Sequence, residues 1–181
     1  MTKVINKPSG NDYISIPLVA FGIADLSASL PSAADGTTLG HIAGIFGAAS
    51  SYLIGSDVGG TTATEITRII LPIPSDNNDG GALTIRIHAG MLTTVADDVA
   101  TVDIVAYKSD EEAGISADIN STGAQSINSV TLADKDFVIT PTGLVPGDLL
   151  DIQITVIATD AGDLGVMTAI IGAVKLLYDR K

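Results

Sequence analysis

Residues 83–88 read Leu-Thr-Ile-Arg-Ile-His, apolar and polar in strict alternation. The same period of two returns in residues 101–106, Thr-Val-Asp-Ile-Val-Ala, and in residues 150–156, Leu-Asp-Ile-Gln-Ile-Thr-Val. In an extended chain successive side chains point to opposite faces, so each run is a strand with one face buried and the other wet. No segment of convincing length carries the period of an amphipathic helix. The chain is expected to be all-β.

Outward from these runs, turn residues punctuate the sequence. Asp76-Asn77-Asn78-Asp79-Gly80-Gly81 is a strong turn signal. Pro141–Gly147 and Asp160–Asp163 mark two more connections. Between such signals we expect strands at Tyr13–Val19, Leu39–Phe46, Ser51–Ile54, Glu65–Ile73, Ala82–Leu92, Val99–Lys108, Ser126–Leu132, Asp136–Thr140, Asp148–Ala158 and Gly165–Tyr178. A short helix is allowed near Ala24–Leu30, inside an Ala-, Gly- and Ser-rich stretch over 22–62. Eight to ten short strands with regular turns predict an antiparallel β-sandwich, and among sandwiches a jelly roll. Residues 1–12, polar and holding Pro8, Ser9 and Gly10, are read as an extended N-terminal arm, and residues 13–181 as a single domain.

Composition narrows the function. The chain is 46% hydrophobic and only 17% charged, below the roughly 25% usual for soluble domains. No apolar run reaches the roughly 20 residues of a membrane-spanning helix, so a subunit interface is the expected sink for the excess. The final strand suggests where. Met167, Ala169, Ile171 and Ala173 alternate on one face, while Ile170, Val174 and Leu176 occupy the other. A strand apolar on both faces lies between two covering layers or at a subunit contact, which makes the first four residues the candidate interface.

Net charge is −12, from 21 acidic and nine basic groups, so phosphate backbones are repelled and nucleic acid is not an expected partner. The basic groups near the two termini, among them Lys3, Lys7, Arg180 and Lys181, are candidates for contact with an acidic partner surface. The absence of cysteine excludes disulfides and thiol chemistry. The start, MTKVINKPSGNDY, lacks the apolar core of a signal peptide, so synthesis in the cytoplasm without secretion is expected.

No residue set carries catalysis. The two histidines, His41 and His88, do not meet the histidine-rich spacing of a cupin metal site, and His88 reads as an outward strand residue beside Arg86. There is no G-x-S-x-G elbow. An EF-hand frame starting at Asp76 places Gly80 and Ile87 where oxygen ligands are needed. With no Trp, three Phe and four Tyr, a lectin with broad aromatic platforms is disfavoured. We therefore expect no enzyme, no metal, no cofactor and no small-molecule substrate.

Three stretches carry a resemblance: Leu83–Ile115, Asp134–Gly162 with its Pro146-Gly147-Asp148-Leu149-Leu150-Asp151-Ile152 segment, and the closing Ile170–Lys181. Together they resemble the small jelly-roll capsid cement, or decoration, proteins of tailed bacteriophages. That resemblance implies a virion protein, a homotrimer seated on the exterior of an icosahedral capsid, with the major capsid protein as partner and no catalytic residues. The alternative is a jelly-roll head fibre or a receptor- or glycan-binding module of a phage particle.

Overall fold

A computed structural model describes residues 11–45, 47–93, 99–109, 116–162 and 167–181. Among these residues ten strands follow one another: β1 (Asn11–Ile16), β2 (Gly40–Ile42), β3 (Tyr52–Ile54), β4 (Thr62–Pro72), β5 (Leu83–Thr93), β6 (Val99–Ser109), β7 (Gln125–Ser126), β8 (Ala133–Ile139), β9 (Leu149–Thr159) and β10 (Thr168–Asp179). Among the described residues the one helical element is a 3-10 turn at Leu18–Ala20.

The strands form two antiparallel sheets. The first runs β2-β3-β10-β5-β8, with β1 also on β10, and the second runs β4-β9-β6-β7. The last eight strands pair β3 with β10, β4 with β9, β5 with β8 and β6 with β7. One long antiparallel hairpin, folded over so that its halves share both sheets, produces this order. It is the jelly roll expected from the strand count.

Alternation places the core where the sequence indicated. Leu83, Ile85 and Ile87 of β5 face Ala100, Val102 and Ile104 of β6 and Ile152, Ile154 and Val156 of β9 across the sandwich, all at most 1% exposed. Phe137 and Ile139 on β8 complete that layer. Each large side chain so buried contributes about 1.5–3 kcal/mol.

Four local expectations change. Residues 24–30 are not helical: Leu26 sits at φ +60° and an isolated bridge joins Gly22 to Ser29. Asp25 explains this, because its carboxylate accepts both the Ser27 N–H and the Ser27 hydroxyl, a local bonding that competes with a helix. The strand expected at Ser126–Leu132 shrinks to β7, because hydroxyls of Ser126 and Ser129 accept the N–H groups of Asn128 and Thr131 and turn the chain. The first strand ends at Ile16, ahead of Pro17, and the 3-10 turn follows. Asn11 and Asp12, assigned to the arm, open β1 opposite Asp179 and Tyr178.

The largest correction concerns β10. Its register with β5 runs Ile171 to Ala89 and then Ala173 to His88, so Gly172 is one extra residue, a β-bulge. Before the bulge Met167, Ala169 and Ile171 point inward, and after it Val174, Leu176 and Tyr178 do. The strand that read as apolar on both faces is thus apolar on one face whose parity switches midway. Met167, Ala169 and Ile171 are at most 2% exposed, covered by the chain's own second sheet, and Ala173 has turned to the outer face. These side chains are already buried, so they form no open subunit interface.

Candidate functional site

The outer faces of the two sheets differ in chemistry. On the first sheet the register lines up Lys175, Arg86 and Asp136 across β10, β5 and β8. Arg86 grips Asp136 through Nε and Nη2, both at 2.6 Å, and reaches Asp134 at 3.4 Å. His88 does lie outward beside it, its Nδ1 2.7 Å from Asp134. Lys175 lies 5.0 Å from the centroid of the Tyr13 ring. The charges on this face neutralise one another.

The C-terminal cations are committed in the same way. Arg180 Nη1 lies 2.9 Å from Asp12 and its Nε 3.1 Å from Asp76, while Lys181 lies 3.0 Å from Asp79. The turn at 76–81 supplies two of those acids, Asp76 and Asp79, with Gly80 taking the positive φ of +71° that the turn requires. Arg180 and Lys181 therefore knit the terminus to the turn and to β1. Lys3 and Lys7 lie outside the described residues.

The outer face of the second sheet is different. Threonines 62, 64, 101, 155 and 159 fill much of it, with Ile66, Ile70, Val105 and Ile157 among them. At one end sits a polar cluster. Register places Arg68 of β4 beside Gln153 of β9, and Asp151 of β9 beside Tyr107 of β6. Arg68 Nε donates to Asp151 Oδ1 at 2.7 Å, and Arg68 Nη2 donates to Asp151 Oδ2. The Asp151 side chain is only 6% exposed, against 29% for that of Arg68. The third guanidinium nitrogen donates to the Ala24 carbonyl at 3.2 Å. Backbone bonds between Gly22 and Arg68, at 2.9 and 3.1 Å, clamp that loop along the edge of β4.

These side chains line a depression of about 230 Å³ bounded by Arg68, Tyr107, Asp151 and Gln153. Its hydrogen bond with Asp151 holds the Arg68 guanidinium even more firmly protonated than usual. The pair is bidentate and planar, so its orientation is set before any ligand arrives. Its charges sum to zero. Beside it stand an amide that both donates and accepts, and a tyrosine with an apolar ring and a polar tip. Such a surface suits a ligand bearing both hydroxyls and apolar C–H faces.

None of these four residues stood out as a site in the sequence. The signal was present but faint: four polar or aromatic side chains at outward positions of strands rich in Thr, Ile and Val. What assembles them is strand order, which brings Arg68 and Asp151 together across 83 residues of chain.

No protein-family model matches the chain, and no curated protein matches it. Solved structures do. An arabinose-bound α-L-arabinofuranosidase aligns over 90% of this chain at 11% identity and a TM-score of 0.48. The isomalto-dextranase of Arthrobacter globiformis, complexed with panose, aligns over 92% at 15% identity and a TM-score of 0.46. This chain spans 23% of the length of each of these two enzymes. The family 30 carbohydrate-binding module of a Clostridium thermocellum cellulosomal cellulase aligns over 91% of this chain and 96% of its own, at 16% identity and a TM-score of 0.36. At such identities and scores these are likenesses of general strand arrangement and assign no ligand.

Proposed function

We propose that this chain is a glycan-binding β-sandwich module that contacts a neutral sugar through the Tyr107 depression. One observation carries the reading: the immobilised Arg68–Asp151 plane lies beside Tyr107 and Gln153, on a sheet face whose strands otherwise carry Thr, Ile and Val with Asp103. A pyranose ring offers C–H groups to an aromatic surface and vicinal hydroxyls to planar bidentate groups. Because the ion pair is closed on itself, the depression calls for hydroxyls rather than an ion. A site of this kind binds without needing to react.

Isothermal titration against a panel of neutral oligosaccharides tests the reading. Binding by the wild type, weakened at least about tenfold in Tyr107→Ala, is the expected result, since one aromatic contact of this kind is worth about 1.4 kcal/mol or more. No binding across the panel, or binding indifferent to Tyr107, would overturn it.

Capsid decoration, with a trimer on a major capsid protein, is the lesser proposal. It rests on the resemblance carried by residues 83–115, 134–162 and 170–181; the inward face of the apolar closing strand is filled by the second sheet, and Arg180 and Lys181 pair with Asp12, Asp76 and Asp79. Co-sedimentation with shells lacking the protein measures it directly.

A further inference from the structure

The geometry points to a second binding site, at the corner where β7 meets β8, that takes the carboxylate of an acidic sugar. The corner holds a cavity of about 420 Å³, within the range of about 300–1,000 Å³ usual for small-molecule sites. Ala89, Ile127 and Ala133 give it an apolar floor, and Ser129 and Lys135 are the groups that argue for a ligand.

Lys135 is unusual in this chain. It belongs to the inward-pointing row of β8, with Phe137 and Ile139, and pairs across the sheet with Ile87. Its neighbours Asp134 and Asp136 point to the opposite face, where His88 and Arg86 hold them. Arg68, Arg86, Lys108, Arg180 and Lys181 each have an acidic partner, and Lys175 has the Tyr13 ring. Among the described residues Lys135 alone, of the lysines and arginines, has neither. Lys135 is only partly buried, and in a protein of net charge −12 its ammonium faces no acidic side chain among the described residues, which leaves it able to meet an anion.

A hydroxyl supports the same reading. Ser129 Oγ accepts the Thr131 N–H at 3.1 Å. It is thereby used as an acceptor, and its own O–H remains to be donated. The cavity thus brings together a lysine and a hydroxyl donor over an apolar floor. An acceptor-rich anion with a carbon skeleton fits that combination, and a uronic acid supplies it through carboxylate, ring hydroxyls and C–H face. A competing cause exists for the lysine itself: an inward-pointing charge near a sheet edge discourages edge-to-edge pairing. That role requires no ligand and does not predict the serine donor.

The site shares no lining residue with the Tyr107 depression and goes beyond the function proposed above. The test titrates isotopically labelled full-length protein with galacturonate and glucuronate, with galactose and glucose, and with acetate and inorganic phosphate, reading amide shifts by NMR. The uronates should move the amides of residues 126–129 and 133–135, and the neutral hexoses should leave them in place. Lys135→Met should weaken uronate binding at least about tenfold, the loss of one charge-assisted hydrogen bond, while Lys135→Arg retains most of it. Thermal melts of both variants confirm folding. Tyr107→Ala should leave uronate binding intact, which separates failure of this site from failure of the other. The assignment is overturned by silence of these amides at tens of millimolar uronate, by neutral hexoses moving them equally, or by undiminished binding in Lys135→Met. Acetate or phosphate binding as tightly as the uronates would reduce the cavity to a simple anion site and overturn the acidic-sugar assignment. Aggregation of Lys135→Met with unchanged binding would identify edge protection as the residue's role.

Discussion

Deleting Gly172 should abolish folding, although the residue has no side chain. The deletion removes the bulge and restores an unbroken period of two through β10. If residues 167–171 keep their places, Val174, Leu176 and Tyr178 rotate to the outer face and Lys175 and Leu177 rotate into the core. The first three are 2%, 0% and 6% exposed in the native fold. Losing their burial at about 1.5–3 kcal/mol each costs about 5–9 kcal/mol. Enclosing the Lys175 ammonium between the sheets adds several kcal/mol more. The sum matches the whole stability of a typical domain, about 5–15 kcal/mol. Gly172→Ala is the control. Its added Cβ would lie 3.2 Å from Leu132 Cδ2, the end of a flexible and only partly buried side chain. That variant should stay within about 1 kcal/mol of wild type. Urea denaturation followed by circular dichroism and tyrosine fluorescence measures both. A deletion variant with a cooperative transition within about 2 kcal/mol of wild type would refute the parity switch as the reason for the bulge.

Asp151→Ala strands the Arg68 guanidinium without its carboxylate. Because the arginine side chain keeps 29% exposure, water answers part of the loss, and the expected destabilisation is about 2–4 kcal/mol by urea denaturation. Faster proteolysis of the 22–30 loop should accompany it, since Arg68 also anchors Ala24. Arg86 holds the Asp136 carboxyl below its ordinary value of 3.8, through a hydrogen bond and then through charge. A depressed acid contributes stability above its unfolded pKa, and the contribution disappears as pH falls through the folded value. Asp136→Asn should therefore lower stability by up to about 1 kcal/mol at pH 7, the side chain being 44% exposed, and the gap should close as pH falls below 3.8 through the lowered folded value. Thermal melts across that range check both the gap and its closure.

The strands at 83–93, 99–109 and 149–159 were legible from single-residue alternation because that pattern is a local consequence of pleating. Their number and spacing were enough to indicate a jelly roll, and the turn at Asp76–Gly81 was written in its Asn, Asp and Gly content. The failures share a cause. Alternation reports which side chains share a face only while the register is unbroken, and Gly172 breaks it. Read without the bulge, a buried strand looks like an oily surface in want of a partner. Charge counts likewise say how many cations exist, not what each one faces.

The main strands and the sandwich class were therefore settled by the chain's own order of residues, because steric and hydrophobic periodicity act over neighbours. The joining of Arg68 to Asp151, of Arg180 to Asp12 across 168 residues, and the isolation of Lys135 at an open corner were decided only when the sheets closed. Hydrogen bonds and ion pairs act over a few ångströms of space, and only the folded hairpin sets which distant residues come that close.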